Sequence, residues 1–149
     1  MKQRLRKRRR SRESALQVLY QWDLTRQDTQ KGLAHFREHF SLKEESDPFF
    51  EQIVRGVLKH RMEIDRLIEH YSENWRLDRI APIDHTILRI AIFELLYCEE
   101  IPPKVALNEA VDLGKQYGSE NSGRFINGIL DRILNEVVQK SGKTASMSP

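Results

Sequence analysis

Apolar residues recur at helical spacing along most of the chain. Near the start, Leu16, Leu19 and Tyr20 lie within one turn of a helix of each other. Because residues three and four apart share one face of a helix, this pattern predicts a helix over about 10–26. Ser11 is the candidate cap at its N-terminus, because a serine hydroxyl can accept from an unpaired backbone N–H.

The middle of the chain carries the clearest helix boundaries. Asp47 followed by Pro48 is typical of a helix start, and apolar positions then keep a helical period as far as Tyr71. That length predicts one long helix or two. A shorter amphipathic helix is expected before it, ending near Ser41. Positions 82–97 are apolar on nearly every side, which indicates a helix at the centre of a bundle.

Two more helices are predicted in the last third of the chain. The first follows Pro102 and ends at Gly118, and the second begins after Ser119, its candidate cap, and extends to about Val137. Only 7 glycines and 5 prolines occur in 149 residues, which disfavours a fold made of many tight turns. We therefore predict an all-α protein with about six to seven helices in one compact domain.

Charge is distributed unevenly along the chain. The formal net charge is +3, but residues 1–12 hold eight bases and no acid, while the remaining residues hold 17 bases and 22 acids. We expect residues 1–9 to form a mobile basic arm, 10–140 to form a single helical domain, and 141–149 to form a flexible tail. A basic arm on an acidic body predicts a polyanionic partner that is contacted at one place.

The arm is the strongest candidate for a binding element. Four arginines lie at the entrance of the first predicted helix: Arg8, Arg9, Arg10 and Arg12. Guanidinium groups pair bidentately with phosphate, and each neutralised phosphate releases counterions, so binding is expected to weaken with salt. RNA recognition also uses stacking of unpaired bases on aromatic rings. Three aromatic residues are candidates for stacking, although each taken singly is more often a core residue: Tyr20, Trp22 and Phe125.

The sequence offers little for catalysis or metal binding. His35, Glu38 and His39 follow the order H-x-x-E-H of some zinc sites, but no third ligand is evident, and ordinary surface histidines explain the pattern. No Gly-rich phosphate loop or nucleophile elbow is present. A single cysteine, Cys98, excludes an intrachain disulfide, and no apolar run is long enough for a membrane span. We predict a cytoplasmic, non-enzymatic protein that needs no cofactor or metal.

Three segments resemble one known family. Residues 6–24, 87–95 and 105–133 are similar to the NusB family of transcription antitermination factors, and the likeness runs in one order through about 8–136. Its most distinctive part is GRFINGILD at 123–131. The resemblance implies an all-α fold of two packed helical bundles. It also implies binding to the single-stranded boxA element of nascent ribosomal RNA, together with the ribosomal small-subunit protein NusE, in a complex that helps RNA polymerase read through terminators.

The resemblance further implies which residues bind these partners. The expected RNA-binding residues come from the arm, the first helix and the surroundings of the last helix's start: Arg8, Arg9, Arg10, Arg12, Tyr20, Lys115, Asn121, Arg124, Phe125 and Asn127. The expected NusE-binding residues are acidic: Asp78, Asp84 and Glu94. Family members occur as monomers and as homodimers, so a homodimer is also an open expectation.

Three alternatives stay open at the level of the sequence. Similar modules occur fused to RNA cytosine methyltransferases, so the chain could be an appended RNA-recognition domain of a longer protein. A protein–protein adaptor, with the arm as an aid to solubility, would bind its partners unchanged after deletion of residues 1–10. A small hydrolase or metalloenzyme that uses His35, Glu38 and His39 would carry a stoichiometric metal ion.

Overall fold

The computed structural model describes residues 2–25, 47–73 and 76–138 of the chain. These residues fall into two compact units, Met1–Lys59 and His60–Pro149. All regular structure within the described ranges is helical, and no strand occurs in them. The prediction of an all-α fold is therefore confirmed for this part of the chain.

The first unit holds two helices that pack against each other. Helix α1 spans Lys2–Thr25, and helix α2 spans Asp47–Lys59. Their buried apolar side chains follow helical spacing: Ala15, Leu16, Val18 and Leu19 in α1, and Phe50, Ile53, Val54 and Val57 in α2. Full burial of one such large apolar side chain stabilises the fold by roughly 1.5–3 kcal/mol, so these buried residues stabilise the packing of α1 against α2. The helix that we predicted to end near Ser41 lies outside the described residues.

The second unit is built around one central helix. Its elements follow in chain order: α3 (Arg61–Tyr71), a 3₁₀ turn (Leu77–Arg79), α4 (Pro82–Tyr97), α5 (Pro103–Tyr117), α6 (Ser122–Ile133) and a π-helical turn (Leu134–Val138). Helix α4 packs against α3, α5 and α6, and every position from Asp84 to Leu95 is buried. The prediction of a central helix over 82–97 is therefore confirmed.

The predicted start of the first helix is wrong, whereas the choice between one helix and two after Asp47 is resolved by the structure. Helix α1 begins at Lys2 rather than near residue 10, so Ser11 lies inside it and cannot be its cap. The Ser11 hydroxyl instead donates to the backbone carbonyl oxygen of Lys7 at 3.0 Å, a common hydrogen bond for a serine in a helix interior. The apolar series after Asp47 forms two helices, because the backbone leaves the helical region at His60 (φ −104°, ψ 16°).

The start of α6 also differs from its predicted form. Ser119 does not cap this helix, which begins three residues later at Ser122. The backbone N–H of Ser119 donates to the Ser122 hydroxyl oxygen at 2.8 Å. This bond fixes the tight connection between α5 and α6, so the serine that matters for the turn lies in the helix rather than before it.

A charged network joins α3 to α4. Arg89 is only 5% exposed, and its Nε and Nη2 atoms donate to the two carboxylate oxygens of Asp65 at 2.9 and 2.8 Å. His85 places Nε2 at 2.9 Å from Asp65 Oδ1. A buried guanidinium needs a paired carboxylate, because an uncompensated buried charge is strongly destabilising. Asp65 therefore allows the apolar helix α4 to carry an arginine in its middle.

The same network changes the titration of Asp65. Burial alone would raise the pKa of this carboxyl, but the hydrogen bonds from Arg89 and His85, with their positive charge, outweigh burial and lower the pKa from 3.8 to about 2. A carboxylate with a lowered pKa in the folded protein adds stability above its unfolded pKa. That contribution is lost as the pH falls from about 4 through about 2.

We expect the free energy of unfolding of the wild type to fall between pH 4 and pH 2, and Asp65→Asn to show a weaker fall. The variant should also be less stable at pH 7 by roughly 3–5 kcal/mol, because Arg89 keeps its buried charge without a carboxylate. Urea unfolding at pH 7, 4, 3 and 2 measures both effects. Asp78→Asn, which removes an exposed carboxylate, is the control. Equal acid sensitivity of wild type and Asp65→Asn would contradict this account.

Candidate nucleic-acid interface

The arginines of the predicted arm differ in burial, because they lie on different faces of helix α1. Arg9 and Arg10 are exposed and Arg8 is half-buried, whereas Arg12 is only 2% exposed. Residues 8 and 12 are four apart and share the face that continues into the buried Ala15, while residues 9 and 10 turn away from it. The arginine run therefore presents part of its charge to solvent and directs the rest inward.

An aromatic ring of α2 holds the two inward arginines. The guanidinium carbons of Arg8 and Arg12 lie 5.5 and 5.2 Å from the ring centroid of Phe49. Cations within about 6 Å of an aromatic face are attracted by its quadrupole, more strongly where water is excluded. The structure thus places Arg12 as a packing residue between α1 and α2 and not on the predicted RNA-binding surface. Sequence reasoning missed Phe49, because its role depends on contacts between distant segments.

The first turns of α6 present a compact polar and aromatic surface. The helix buries Ser122, Ile126 and its other core positions, so the intervening residues face outward. Asn121, Arg124 and Gly128 are exposed, and Phe125 is half-buried. We call this set the α6 row (Asn121, Arg124, Phe125 and Gly128), because the spacings of three, four and seven place its members on one side of the helix.

The other predicted RNA-binding residues take different positions. Lys115 is exposed in the last turn of α5, beside the first turn of α6, and Asn127 is exposed on α6 itself. Tyr20 is half-buried on α1 in the first unit. Neither Tyr20 nor Phe125 is fully buried, so the structure leaves both residues as candidates for stacking.

One exposed aromatic residue was not among the predicted site residues. Tyr117 ends α5 and is 43% exposed, and its hydroxyl accepts from the side-chain amide of Gln116 at 3.2 Å. It lies next to Gly118, directly before the turn that leads to Asn121. Its position at the end of a helix could have indicated this exposure, because the apolar face of a helix often leaves the core at its last turn.

The three acidic residues expected to bind NusE are not equally accessible. Asp78 is exposed in the 3₁₀ turn and lies 3.6 Å from Arg76. Asp84, in the first turn of α4, is 7% exposed, and its Oδ1 is buried without a hydrogen-bond partner among the described residues. Glu94 is 1% exposed, so the structure places it inside the unit rather than on a surface. Only Asp78 offers a whole carboxylate to a partner.

No metal-binding group emerges from the described residues. Within them, no three His, Cys, Asp or Glu side chains cluster closely enough to hold an ion. The suggested triplet His35, Glu38 and His39 lies outside the described residues. The single cysteine of the chain, Cys98, is buried. Across the ranges that the structure describes, no helix combines the length and apolar character needed to cross a membrane.

The two arginine classes should respond differently to substitution. Arg12→Ala is expected to cost about 2–4 kcal/mol of stability, because it removes a buried side chain and its contact with Phe49. Arg10→Ala, the matched control from the same run, should change stability by less than about 0.5 kcal/mol. Urea unfolding followed by circular dichroism measures both variants. Similar losses for the two variants would show that Arg12 is not a packing residue.

Comparison with known proteins finds similarity along most of the chain. The NusB family model matches residues 9–135. A transcription antitermination protein NusB of Syntrophus aciditrophicus is 44% identical over 145 residues, which cover 97% of this chain and 90% of the relative. The NusB protein of Bacillus subtilis is 42% identical, over 89% of this chain and 98% of its own length.

Solved structures show the same likeness. The structure of NusB from T. maritima superposes with a TM-score of 0.84 at 36% identity, covering 93% of this chain and 96% of that one. A crystal structure of the antitermination factors NusB and NusE in complex with double-stranded RNA matches with a TM-score of 0.78 at 29% identity, over 89% of this chain and 97% of that chain. On the family match and these identities, the chain belongs to the NusB family of transcription antitermination proteins.

Proposed function

We propose that this chain is a cytoplasmic, non-enzymatic transcription antitermination factor that binds boxA-type single-stranded RNA of nascent ribosomal RNA transcripts together with NusE. The observation that carries the proposal is the α6 row, which combines a half-buried phenylalanine and an exposed arginine on one side of α6 with an exposed asparagine directly before the helix. Family membership supports the same conclusion, because relatives carry the antitermination name and one structural neighbour holds NusE and RNA.

Each group of the α6 row has a distinct part in RNA binding. The ring of Phe125 offers a stacking face for an unpaired base, and the Arg124 guanidinium pairs with phosphate. Asn121 has an amide that donates and accepts, which suits the edge of a base. Gly128 adds no side chain, and a Cβ there would meet no protein atom within 4 Å, so the RNA backbone can approach the helix closely.

The outward arginines of α1 supply the electrostatic part of binding. Arg9 and Arg10 are exposed and contribute two fixed charges on a helix, whereas Arg12 contributes through packing. We propose that these two residues contact phosphates and thereby set the salt dependence of binding. Tyr20, on the same helix, is a second stacking candidate.

The acidic balance of the rest of the chain suits a basic protein partner. Outside residues 1–12 the chain holds 17 bases and 22 acids, and ribosomal proteins are commonly basic. Asp78 is the exposed carboxylate among the three predicted NusE-binding residues, so we place the NusE contact near the 3₁₀ turn. The resulting complex would act with RNA polymerase during synthesis of ribosomal RNA.

We expect the double variant Arg9→Ala/Arg10→Ala to bind a fluorescent boxA-type RNA more weakly than the wild type. Loss of two phosphate contacts should lower the slope of log affinity against log salt by about 1.4, because each contact with a single strand contributes about 0.7. Fluorescence anisotropy at several salt concentrations, with and without NusE, measures this change. NusE should tighten binding of the wild type.

The controls separate specific from general binding. Arg55→Ala/Lys59→Ala removes two exposed charges from α2 in the same unit and should leave the affinity and slope unchanged. A scrambled single strand and a duplex of the boxA sequence test the form of RNA that is recognised. Equal affinity for boxA and scrambled RNA would reduce the protein to a general polyanion binder, and no binding even with NusE would contradict the proposal.

A further inference from the structure

Where α5 packs against α6, the side chain of Lys115 lies over Gly123. A Cβ added to Gly123 would come 3.1 Å from Cγ and 3.4 Å from Cε of Lys115, and 3.7 Å from Cγ1 of Val111. Gly123 is buried although Lys115 is exposed, so the lysine stem covers the first turn of α6 while the residue as a whole stays in solvent. The position of this stem depends on the absence of a side chain at residue 123.

The close approach of α5 to α6 depends on another glycine, Gly114, rather than on Gly123. A Cβ on Gly114 would lie 2.7 Å from Cδ1 of Ile126 and 3.4 Å from the backbone nitrogen of Gly123. Gly114 therefore allows the two backbones to approach. The Cβ of residue 123 itself would be nearest to atoms of two side chains, one of them the flexible stem of an exposed lysine.

Glycine at residue 123 has a cost in local stability. Glycine is about 1 kcal/mol less favourable than alanine in a helix interior, and this value is an upper limit for Gly123 in the first turn of α6. Because the neighbouring Lys115 stem is flexible and exposed, it can move by the few tenths of an ångström that an alanine requires. The fold therefore tolerates alanine here, and what glycine preserves is the placement of the lysine.

We infer that Gly123 is a positioning residue for RNA binding, because the absence of a side chain there leaves room for the Lys115 stem over the first turn of α6, the turn that also carries Arg124 of the α6 row. The ammonium then meets a phosphate of the strand whose base stacks on Phe125. Lysine is a flexible point charge, so a surface that holds its stem lowers the entropy lost on binding. The inference rests on the proposed function, since it assigns Gly123 a part in that RNA contact.

A double-mutant cycle on the full chain tests the inference. Wild type, Gly123→Ala, Lys115→Ala and the double variant are titrated with the fluorescent boxA-type single strand, and each is unfolded in urea. Gly123→Ala should weaken RNA binding about threefold to tenfold while its stability stays equal to or above that of the wild type. In the Lys115→Ala background the same substitution should have no further effect, because the side chain it displaces is gone.

Two controls define the size of each effect. Lys104→Ala removes an exposed lysine from the opposite end of α5 and should leave RNA affinity unchanged. Gly128→Ala adds the same methyl group to the same helix at a position with open space, so its urea midpoint gives the stability gain expected from helix propensity alone. Lys115→Ala should lower the salt slope by about 0.7, the value for one phosphate contact with a single strand.

The outcomes separate this inference from the proposed function. If wild type binds the RNA but Gly123→Ala binds equally well, the inference is wrong and the proposed function stands. Equal weakening in both lysine backgrounds would also overturn it, because Gly123 would then act without Lys115. A large loss of stability in Gly123→Ala would show that the glycine serves packing. If wild type binds no boxA RNA, the proposed function fails and the inference fails with it.

Discussion

Burial of helix α4 on every side is the constraint on which the second unit depends. Twelve consecutive positions, from Asp84 to Leu95, are buried, so α3, α5 and α6 must all cover this helix. Its arginine is tolerated because Asp65 of α3 accepts both guanidinium hydrogen bonds. Because one face of α6 packs against α4 and α5, the opposite face of this helix is directed outward. The α6 row is therefore a consequence of the packing. Its arginine and phenylalanine are presented on a helix rather than on a loop, and its asparagine lies directly before that helix.

In the first unit, packing between two helices likewise decides which side chains are buried and which are exposed. A run of arginines within one helix is unfavourable, because like charges three and four residues apart repel each other. The ring of Phe49 offsets part of this cost by facing Arg8 and Arg12. Arg9 and Arg10 are exposed on the same helix. One arginine run thus supplies a buried packing residue, Arg12, and two exposed residues that we propose bind RNA, and the helical phase of each residue decides its burial.

The sequence predicted most of the helices, because burial produces the periodicity from which they were inferred. The central helix kept its predicted bounds, since no turn signal or charge run interrupts 82–97. The start of α1 was misplaced, because the charge of residues 2–9 hid a helical phase that Arg8 and Arg12 share with Ala15. Glu94 was treated as a surface residue although its neighbours are apolar all round. The contacts of Phe49 with Arg12 and of Gly123 with Lys115 join separate helices, so spacing along the chain could not reveal them.

Chemical-shift mapping tests the central claim most directly, because it asks which residues meet RNA in the intact protein. Isotope-labelled protein is titrated with boxA-type single-stranded RNA, and backbone and side-chain resonances are followed. The account predicts that the largest shifts fall on Arg9, Arg10 and the α6 row, while the buried Arg12 and Glu94 change little. Shifts confined to other surfaces, with the α6 row unaffected, would contradict it.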